Sequence, residues 1–487
     1  MELTATFMEL LEAFAPVFTT PSFATFRLLM TGWILSVRHR YVTDLIISSN
    51  SVDNGHFSDY HRFFSRASWS IDELWKILAR VVMGHLLGAD ATVTVAGDDT
   101  LCRKRGLGLF GAGMHHDALS SSKKLKVFSW GHEWVTLCVI VANPSWAPGK
   151  VFALPICMRL YRNRQGVTKG KNKAKGGTQK KQTASSKRQK KQAKRAARKQ
   201  RQIAARKRNK STQQPPNKHF TRPELMREML QLAGSWFPER RFLFVADSLY
   251  TGESVLRYLP ENCDMIGAVH PQGALYEPAP AKMSGRGTRP KKGRRLPTRE
   301  RWAASNSGWT SLSFDQYGLH ATFATKTRNG LYYKAGKDRL LKFVLTRDTQ
   351  SDRPTQIFYS TNLELDARTI LSTYAHRWAI EVTHHDAKQF LSLEDPANRV
   401  PLAVERTAPM AMFLYSLTIL WHAQHGHHFL QFPDRPWYPH KTKPSFADML
   451  TTLRRVSWES NLSTVRKQPR FWSKTVGLMT YLATLAG

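Results

Sequence analysis

The stretch ATVTVAGDDT, residues 91–100, carries the pattern that decides the fold. Two β-branched residues, the polar Thr and the apolar Val, alternate in it, as in a half-buried strand, and the strand runs into Asp98 and Asp99. A second stretch, RFLFVADSLY at 241–250, predicts a wholly apolar strand that ends in Asp247. A carboxylate at the end of a buried strand is costly to desolvate unless a cation or another partner meets it. The two strands therefore predict a shared site.

The segments around these strands predict the rest of the core. HEWVTLCVIVANP at 132–144 and KVFALPICM at 150–158 have the composition of strands, and TRPELMREMLQLAGSWF at 221–237 predicts a helix capped by Thr221. A short helix and another apolar strand follow before residue 270. Three antiparallel strands, a helix, and then alternating strands and helices favour an α/β fold with an RNase H-like catalytic core.

A polar motif comes late in the chain, in YAHRWAIEVTHHDAK at 374–388. On a single helix Tyr374, Arg377, Glu381 and Lys388 would fall within an arc of roughly 60° and form one polar stripe. Glu381 then joins the strand acids as a third carboxylate. Hard oxygen ligands select Mg²⁺ or Mn²⁺, and two ions about 3.5–4 Å apart suit phosphodiester chemistry.

These motifs resemble a known family. Y-x2-R-x3-E-x6-K is the signature of DDE-type insertion-sequence transposases with a β-rich insertion in an RNase H-like core, and all four motif positions match. DDT resembles the family's first-acid motif and selects Asp98 over Asp99, while ADSLY resembles the second-acid strand and selects Asp247. The resemblance covers roughly residues 90–425 and implies a cut-and-paste DNA transposase.

The resemblance also implies roles for individual residues. Asp98, Asp247 and Glu381 would be the catalytic acids that hold two Mg²⁺ ions, with Mn²⁺ able to substitute. Contacts to DNA would come from a further set of residues: Tyr374, Arg377, Lys388, Trp378 and, in the inserted region, Trp302 or Trp309 stacking on a flipped base. For the last two, a place in a core or strand is the competing interpretation. The implied partners are terminal inverted repeats and target DNA, bound by a homodimer in a paired-end complex.

Composition agrees with a polyanionic partner. The 487 residues carry 73 Lys plus Arg against 36 Asp plus Glu, a net charge of +37, which favours nucleic acid over a membrane. The four cysteines form no C-x-x-C pair, so neither a zinc knuckle nor a disulfide framework is supported, and a reducing cytoplasm fits. The resemblance implies the bacterial cytosol and nucleoid. Two histidine clusters, 115–117 and 425–428, lack the spacing of a metal site and are interpreted as loops.

The predicted organisation has five parts. They are a helical N-terminal region at 1–88, the first part of the core at 89–270 with a basic low-complexity insertion at 162–212, a β-rich insertion subdomain at 271–362 with a basic loop at 282–301, the final core helix at 363–400, and a helical C-terminal region at 401–487 that could serve dimerisation. The N-terminal region is either a small DNA-binding domain or a helical layer packed on the rest. The basic insertion either contacts phosphates or is a solvated spacer.

Two other functions compete with transposition. One is a catalytically silent descendant that still binds DNA, and the other is a structure-selective nuclease built on the same core. Intact acids and an intact motif disfavour the first, and the second needs neither the insertion subdomain nor strand transfer.

Overall fold

The computed structural model describes residues 2–37, 39–163, 219–280, 290–316, 319–349, 354–432, 436 and 440–466. One compact unit combines Met1–Arg162 with Thr221–Gly487, and a second unit spans Asn163–Phe220. The predicted basic insertion at 162–212 lies outside the described residues from position 164 onward. Part of the predicted basic loop, 282–289, also lies outside them.

Strands in the described residues belong to one sheet. They are β1 (Val93–Arg103), β2 (Gly113–His116), β3 (Phe128–Ala142), β4 (Val151–Tyr161), β5 (Phe242–Ala246), β6 (Cys263–Ala268), β7 (Thr310–Gln316), β8 (Leu319–Leu331), β9 (Leu340–Asp348) and β10 (Gln356–Ser360). The sheet order is β2-β3-β1-β5-β6-β10-β9-β8-β7, with β4 also paired to β3.

Helices flank the sheet and form both ends of the described chain. They are α1 (Ala5–Glu12), α2 (Thr20–Leu35), α3 (Val42–Ser48), α4 (Phe57–Ser65), α5 (Ile71–Leu86), α6 (Arg222–Trp236), α7 (Glu253–Leu256), α8 (Arg299–Ala304), α9 (Tyr333–Gly336), α10 (Ala367–His376), α11 (Ala379–Leu391), α12 (Pro401–Gln424) and α13 (Phe446–Arg466). The Thr221 cap of α6 is present as a full capping box with Glu224, which satisfies N–H groups at the helix start.

The central strands have the predicted arrangement. β1, β3 and β4 are antiparallel neighbours, and β5 and β6 extend the sheet parallel to β1. The RNase H-like α/β fold class predicted from the sequence is confirmed. Strands β7 to β10 come from the predicted β-rich region, and β10 pairs antiparallel with β6. The inserted strands therefore continue the core sheet edge to edge.

Helices α10 and α11 cover one face of the central strands. Val245 of β5 packs with Ile370 of α10, and Ala96 of β1 packs with Ile380 of α11. The apolar side chains of each strand alternate between the two faces, so one face buries them against these helices. This face of β1 therefore points toward the motif residues of α10 and α11.

Helix α6 covers the opposite face. It approaches β1 closely at Gly97, where an added Cβ would lie 2.5 Å from the Cε atom of Met226 and 2.8 Å from the ring of Phe244. A larger residue would push the helix or the ring away from the strand. The glycine immediately before Asp98 therefore allows both faces of β1 to be packed close to the acids.

The N-terminal helices pack on the C-terminal part of the chain. Phe14 makes an edge contact with Phe413 of α12 at 4.9 Å between ring centres. The indole N–H of Trp33 in α2 donates to the carbonyl of Leu391 at the end of α11, at 3.0 Å. The helical layer predicted as one alternative for this region is present, and a role for it in DNA binding stays a prediction.

Helix α12 is the long apolar helix predicted after residue 401. Nearly all of its side chains beyond the first turn are buried within the protein. Within the described ranges, no helix combines the length and apolar character needed to cross a membrane.

Candidate active site

Two of the predicted acids lie side by side on neighbouring parallel strands. The register pairs Ala96 of β1 with Val245 of β5, and both side chains face α10 and α11. Strand side chains repeat on a face every two residues, so Asp98 and Asp247 follow next to each other on that same face. Asp99 points to the opposite face, toward α6.

The guanidinium of Arg377 joins Asp98 to Glu381. Its Nη1 atom lies 3.0 Å from Oδ2 of Asp98, and its Nη2 atom lies 3.2 Å from Oε1 of Glu381. Asp247 also acts on this cation electrostatically. The Nε atom of Arg377 is buried and has no hydrogen-bond partner within the described residues. Arg377 therefore bridges two of the predicted acids, and the third acts electrostatically on the same cation.

The helix predicted to carry the whole motif is divided in two, so the expectation of one continuous stripe is wrong. α10 ends at His376 and α11 begins at Ala379. The N–H groups of Arg377, Trp378 and Glu381 each bond to the carbonyl three residues earlier. This 3₁₀-type spacing turns each residue by about 120° instead of 100°. The side chain of Arg377 lies over Asp98, in the middle of β1.

The first and last residues of the motif have different surroundings. The ring of Tyr374 lies 5.9 Å from the guanidinium of Arg377. The Nζ atom of Lys388 donates to the carbonyl of Leu101 at 2.6 Å and lies 3.4 Å from a carboxylate oxygen of Glu394. Tyr374 thus stays beside the acids, while Lys388 contacts β1 beyond them.

Burial dominates the electrostatics of the cluster. Burial raises the pKa of Asp98 to about 7, although Arg377 acts in the opposite direction, and Asp99 and Asp247 add to the rise. Burial by itself lowers the pKa of Arg377, but the surrounding acids, with Asp98 first, reverse this and raise it. One arginine therefore does not compensate the carboxylates fully, and a further cation would be favoured here.

A local turn orients Asp247. Its Oδ1 atom accepts the N–H of Leu249 at 2.9 Å, as in an Asx turn, and its carbonyl accepts the hydroxyl of Thr251 at 3.0 Å. Asp247 is partly exposed. The turn fixes the direction of its carboxylate while leaving it open to solvent.

The three tryptophans of the predicted DNA-binding set lie in two places. Trp378, next to Arg377, is 48% exposed. The carbonyl of Trp302 accepts a hydrogen bond from Nζ of Lys326 at 3.3 Å. The ring of Trp309 lies 4.4 Å from Nζ of Lys326 and 4.4 Å from the guanidinium of Arg347. Trp302 and Trp309 are therefore tied to the inserted strands, and Trp378 borders the acids.

A second polar cluster lies on the opposite face and is missing from the sequence analysis. Nη1 of Arg222 lies 2.6 Å from Oδ2 of Asp99 and 3.6 Å from Oε1 of Glu133. The hydroxyl of Tyr250 donates to Oδ1 of Asp99. Nδ1 of His115 lies 3.2 Å from Oε2 of Glu133. The signal available in the sequence was Glu133, an acid at the start of an otherwise apolar strand.

The contacts in this cluster correct the interpretation of His115 and account for the pKa of Glu133. His115 was interpreted as a loop residue, but it is buried in β2, which pairs with β3 and brings it beside Glu133. Burial raises the pKa of Glu133, and a hydrogen bond with Asp99 raises it further. The raised pKa favours the protonated form of Glu133, and Arg222 lies within ion-pairing distance of both carboxyl groups.

The donor set near Asp98 fits a hard divalent cation by its chemistry. Asp98, Asp247 and Glu381 supply carboxylate oxygens, which Mg²⁺ and Mn²⁺ prefer over nitrogen and sulfur ligands. Among the described residues no three His, Cys, Asp or Glu side chains are gathered closely enough to hold a metal ion. The cation that bridges Asp98 and Glu381 here is the guanidinium of Arg377.

Comparison with known proteins gives one family match. A family model described as DDE superfamily endonuclease matches residues 13–331, which is more than half of the chain and includes Asp98 and Asp247. A cryo-EM structure of the piggyBac transposase synaptic complex with hairpin DNA is similar over 98% of this chain and 81% of that chain, at 12% identity and a TM-score of 0.37. That score is too low to support an argument. No curated protein sequence matches the chain.

Proposed function

The chain belongs to the DDE superfamily endonucleases, and on that premise we propose that it is the DNA transposase of an insertion sequence. The observation that carries the proposal is that Arg377 pairs with both Asp98, 279 positions earlier in the chain, and Glu381, while Asp247 acts electrostatically on the same cation. The match of the late motif to the signature Y-x2-R-x3-E-x6-K supports the assignment to insertion-sequence transposases.

In this proposal Asp98, Asp247 and Glu381 are the catalytic acids and hold two Mg²⁺ ions, for which Mn²⁺ can substitute. Bound ions of this kind polarise a phosphoryl oxygen and lower the pKa of an attacking water. Asp98 is preferred to Asp99 because it shares a face with the other two acids, whereas Asp99 is engaged on the opposite face by Arg222.

The proposed reaction is two phosphodiester exchanges. In the first, the oxygen of water bonds to phosphorus at the element end, and the bond from phosphorus to the 3′ oxygen breaks and frees a 3′-hydroxyl. In the second, that hydroxyl attacks a phosphorus of target DNA and displaces a target 3′ oxygen. Both steps need an attacking oxygen held in line and a charged transition state stabilised, so one set of residues can serve both.

Arg377 has the geometry for a second task once the acids bind metal. Its two Nη atoms now hold one oxygen each from Asp98 and Glu381, and the same planar fork fits two oxygens of a phosphate. Tyr374 beside it can donate a hydrogen bond to the same strand, and Lys388 can hold the backbone further along. Trp378 is exposed at the edge of the site and suits contact with a nucleotide.

The remaining parts of the proposal concern partners. The net charge of +37 supports binding of terminal repeats and target DNA, with affinity that falls steeply as salt releases counterions. Cut-and-paste chemistry at two ends supports a homodimer on paired ends. Trp302 and Trp309 stay candidates for contact with a flipped base.

The test is cleavage of a duplex that carries the terminal repeats flanking the gene, with Mg²⁺, Mn²⁺ or EDTA. We expect wild-type protein to cut at the repeat boundary only with metal, and Glu381→Gln to bind the duplex but not to cut it. Glu364→Gln, an exposed residue before α10, is the matched control and should cut normally.

Three results would redirect the proposal. Binding without cutting by the wild-type protein on paired ends supports a silent DNA-binding descendant. Cutting without joining of pre-cleaved ends to target DNA supports a nuclease on the same core. Normal cutting by Glu381→Gln contradicts the role given to that acid.

A further inference from the structure

The polar cluster behind the acids suggests a positioning function. We define the reverse-face clamp as Asp99, Arg222 and Tyr250. Both carboxylate oxygens of Asp99 are engaged, one by the hydroxyl of Tyr250 and the other by Nη1 of Arg222 at 2.6 Å. The side chain of Tyr250 is fully buried. The side chain of Asp99 is 14% exposed and that of Arg222 is 35% exposed, so the clamp lies behind the acids with its arginine reaching solvent.

Each end of the clamp lies within a few residues, along the chain, of one proposed metal ligand. Asp99 follows Asp98 directly, and its N–H donates to Oδ1 of Asp98 at 2.8 Å. Tyr250 belongs to the turn that starts at Asp247, and its N–H donates to the carbonyl of Asp247 at 3.2 Å. The hydrogen bond from Tyr250 to Asp99 thus links the two acid-bearing segments from behind the sheet.

The sheet itself does not make this link. The last paired residues of β1 and β5 are Gly97 and Ala246, so Asp98 and Asp247 stand one position beyond the end of the backbone ladder. Past that point no strand pairing between β1 and β5 fixes their separation. Charged hydrogen bonds such as those to Asp99 are short and directional, and they can take over that constraint.

We propose that Tyr250 and Arg222, acting through Asp99, are positioning residues that set the distance between Asp98 and Asp247 for a shared divalent cation. The inference rests on the proposed function, because it takes those two acids as metal ligands. Mg²⁺ requires nearly ideal octahedral geometry, whereas Mn²⁺ tolerates more distortion in its ligand set. Loosening the clamp should therefore weaken Mg²⁺ use more than Mn²⁺ use.

The first test is Tyr250→Phe, which removes one hydroxyl and keeps the ring. Mn²⁺ binding is measured without DNA, by the free Mn²⁺ signal in electron paramagnetic resonance, together with the Mg²⁺ concentration for half-maximal cleavage. We expect that Mg²⁺ concentration to rise about 10-fold, with a smaller loss of Mn²⁺ affinity and recovery of the cleavage rate in Mn²⁺. Tyr60→Phe is the matched control, because Tyr60 is also buried and donates to the carbonyl of Ser51 at 3.2 Å.

The outcomes separate the clamp from the proposed function. A folded Tyr250→Phe protein whose Mg²⁺ and Mn²⁺ titrations match those of wild type overturns the inference. Weakened Mn²⁺ binding in a system where the wild-type protein never cuts DNA supports the clamp and rejects the transposase. A wild-type protein that binds no Mn²⁺ overturns both. If Tyr250→Phe does not fold, Arg222→Lys, which keeps the charge at Asp99 but loses the planar fork, is titrated in the same way and judged by the same criteria.

Discussion

The two faces of the sheet at Asp98 and Asp99, in the middle of β1, carry similar groups in different surroundings. On one face Arg377 lies between Asp98 and Glu381, and on the other Arg222 lies between Asp99 and Glu133. Both arrangements pair one arginine with two carboxylates. The difference is in how far the second acid on each face is exposed.

On the Asp99 face the partners come from four separate segments and leave the acids enclosed. The side chain of Glu133 is only 5% exposed, and a tyrosine hydroxyl and a histidine join the network. On the Asp98 face the side chain of Glu381 is 37% exposed. Each face keeps one buried nitrogen without a partner in the described part of the chain, Nε2 of His115 on one and Nε of Arg377 on the other. The faces therefore differ in the exposure of the second acid, because a ligand can reach Glu381 from solvent but not Glu133.

The largest expected effect separates two adjacent residues. Asp98→Asn should lower the cleavage rate by about 1,000-fold or more, because it removes a charge at the reacting centre, while DNA binding is retained. Asp99→Asn should lower the rate by only about 10-fold, because it acts through the position of its neighbour. Single-turnover cleavage of a labelled element end measures both. An Asp99→Asn protein that is folded and as inactive as Asp98→Asn would reverse the assignment of the two faces.

The Arg222→Ala and Arg377→Ala variants should differ in whether Mg²⁺ restores their stability. Arg222→Ala leaves two enclosed carboxyl groups without a cation and should cost about 2 kcal/mol of unfolding free energy, after allowance for the partial exposure of Arg222. Arg377→Ala removes the cation between Asp98 and Glu381, so the two acids repel each other. Mg²⁺ should restore the stability of this variant because a metal ion can take the place of the guanidinium.

Thermal unfolding with and without about 10 mM Mg²⁺ measures this difference. A concentration of that order is enough to fill a weak site. We expect a clear metal-dependent rise in melting temperature for Arg377→Ala and none beyond the wild-type rise for Arg222→Ala. Equal responses of the two variants would remove the functional distinction between the faces.

The smallest effects concern pH. Burial lowers the pKa of His384, packed between α11 and β3, to about 3. Between pH 6.5 and 3 the unfolded chain binds a proton that the folded protein excludes, so stability present above pH 6.5 is lost as pH falls, by about 2 kcal/mol at pH 5. His384→Gln should flatten this acid-side loss in urea unfolding at pH 7 and pH 5. A slope equal to that of wild type would contradict the buried neutral histidine.

The contribution of Glu133 to stability should change with pH in the opposite sense. Its raised pKa means that the folded protein keeps a proton that the unfolded chain releases, so stability present below about pH 4.5 is lost as pH rises. Glu133→Gln should flatten the loss between pH 5 and pH 8 in the same unfolding experiment. Together, His384→Gln and Glu133→Gln test one buried titratable group on each face of the sheet.

Much of the fold could be predicted because local patterns determined it. The apolar run before Asp247 predicts a buried strand, and Thr221 before Pro223 and Glu224 predicts a helix start; both are present. The alternation around Asp98 also predicts that Asp98 and Asp99 point to opposite faces. These signals lie within a few residues of the feature that they predict.

The rest depends on contacts between distant residues. Arg222 meets Asp99 across 123 positions, and Tyr250 meets it across 151, which no local pattern specifies. The division of the motif helix at Arg377 and Trp378 occurs without glycine or proline, so periodicity predicted one helix where two exist. Which carboxylates an arginine bridges is decided by packing of the helices on the sheet.

The contact between Trp33 and Leu391 has a consequence for synthesis of the protein. These residues are 358 positions apart, so α2 leaves the ribosome about 20–70 s before the helix end that accepts its indole hydrogen bond. During that interval the apolar side chains of α2, including the ring of Trp33, have no C-terminal surface to cover them. The nascent chain therefore exposes apolar side chains that chaperones can bind, and the packing around α2 is complete only after the chain has been translated past Leu391.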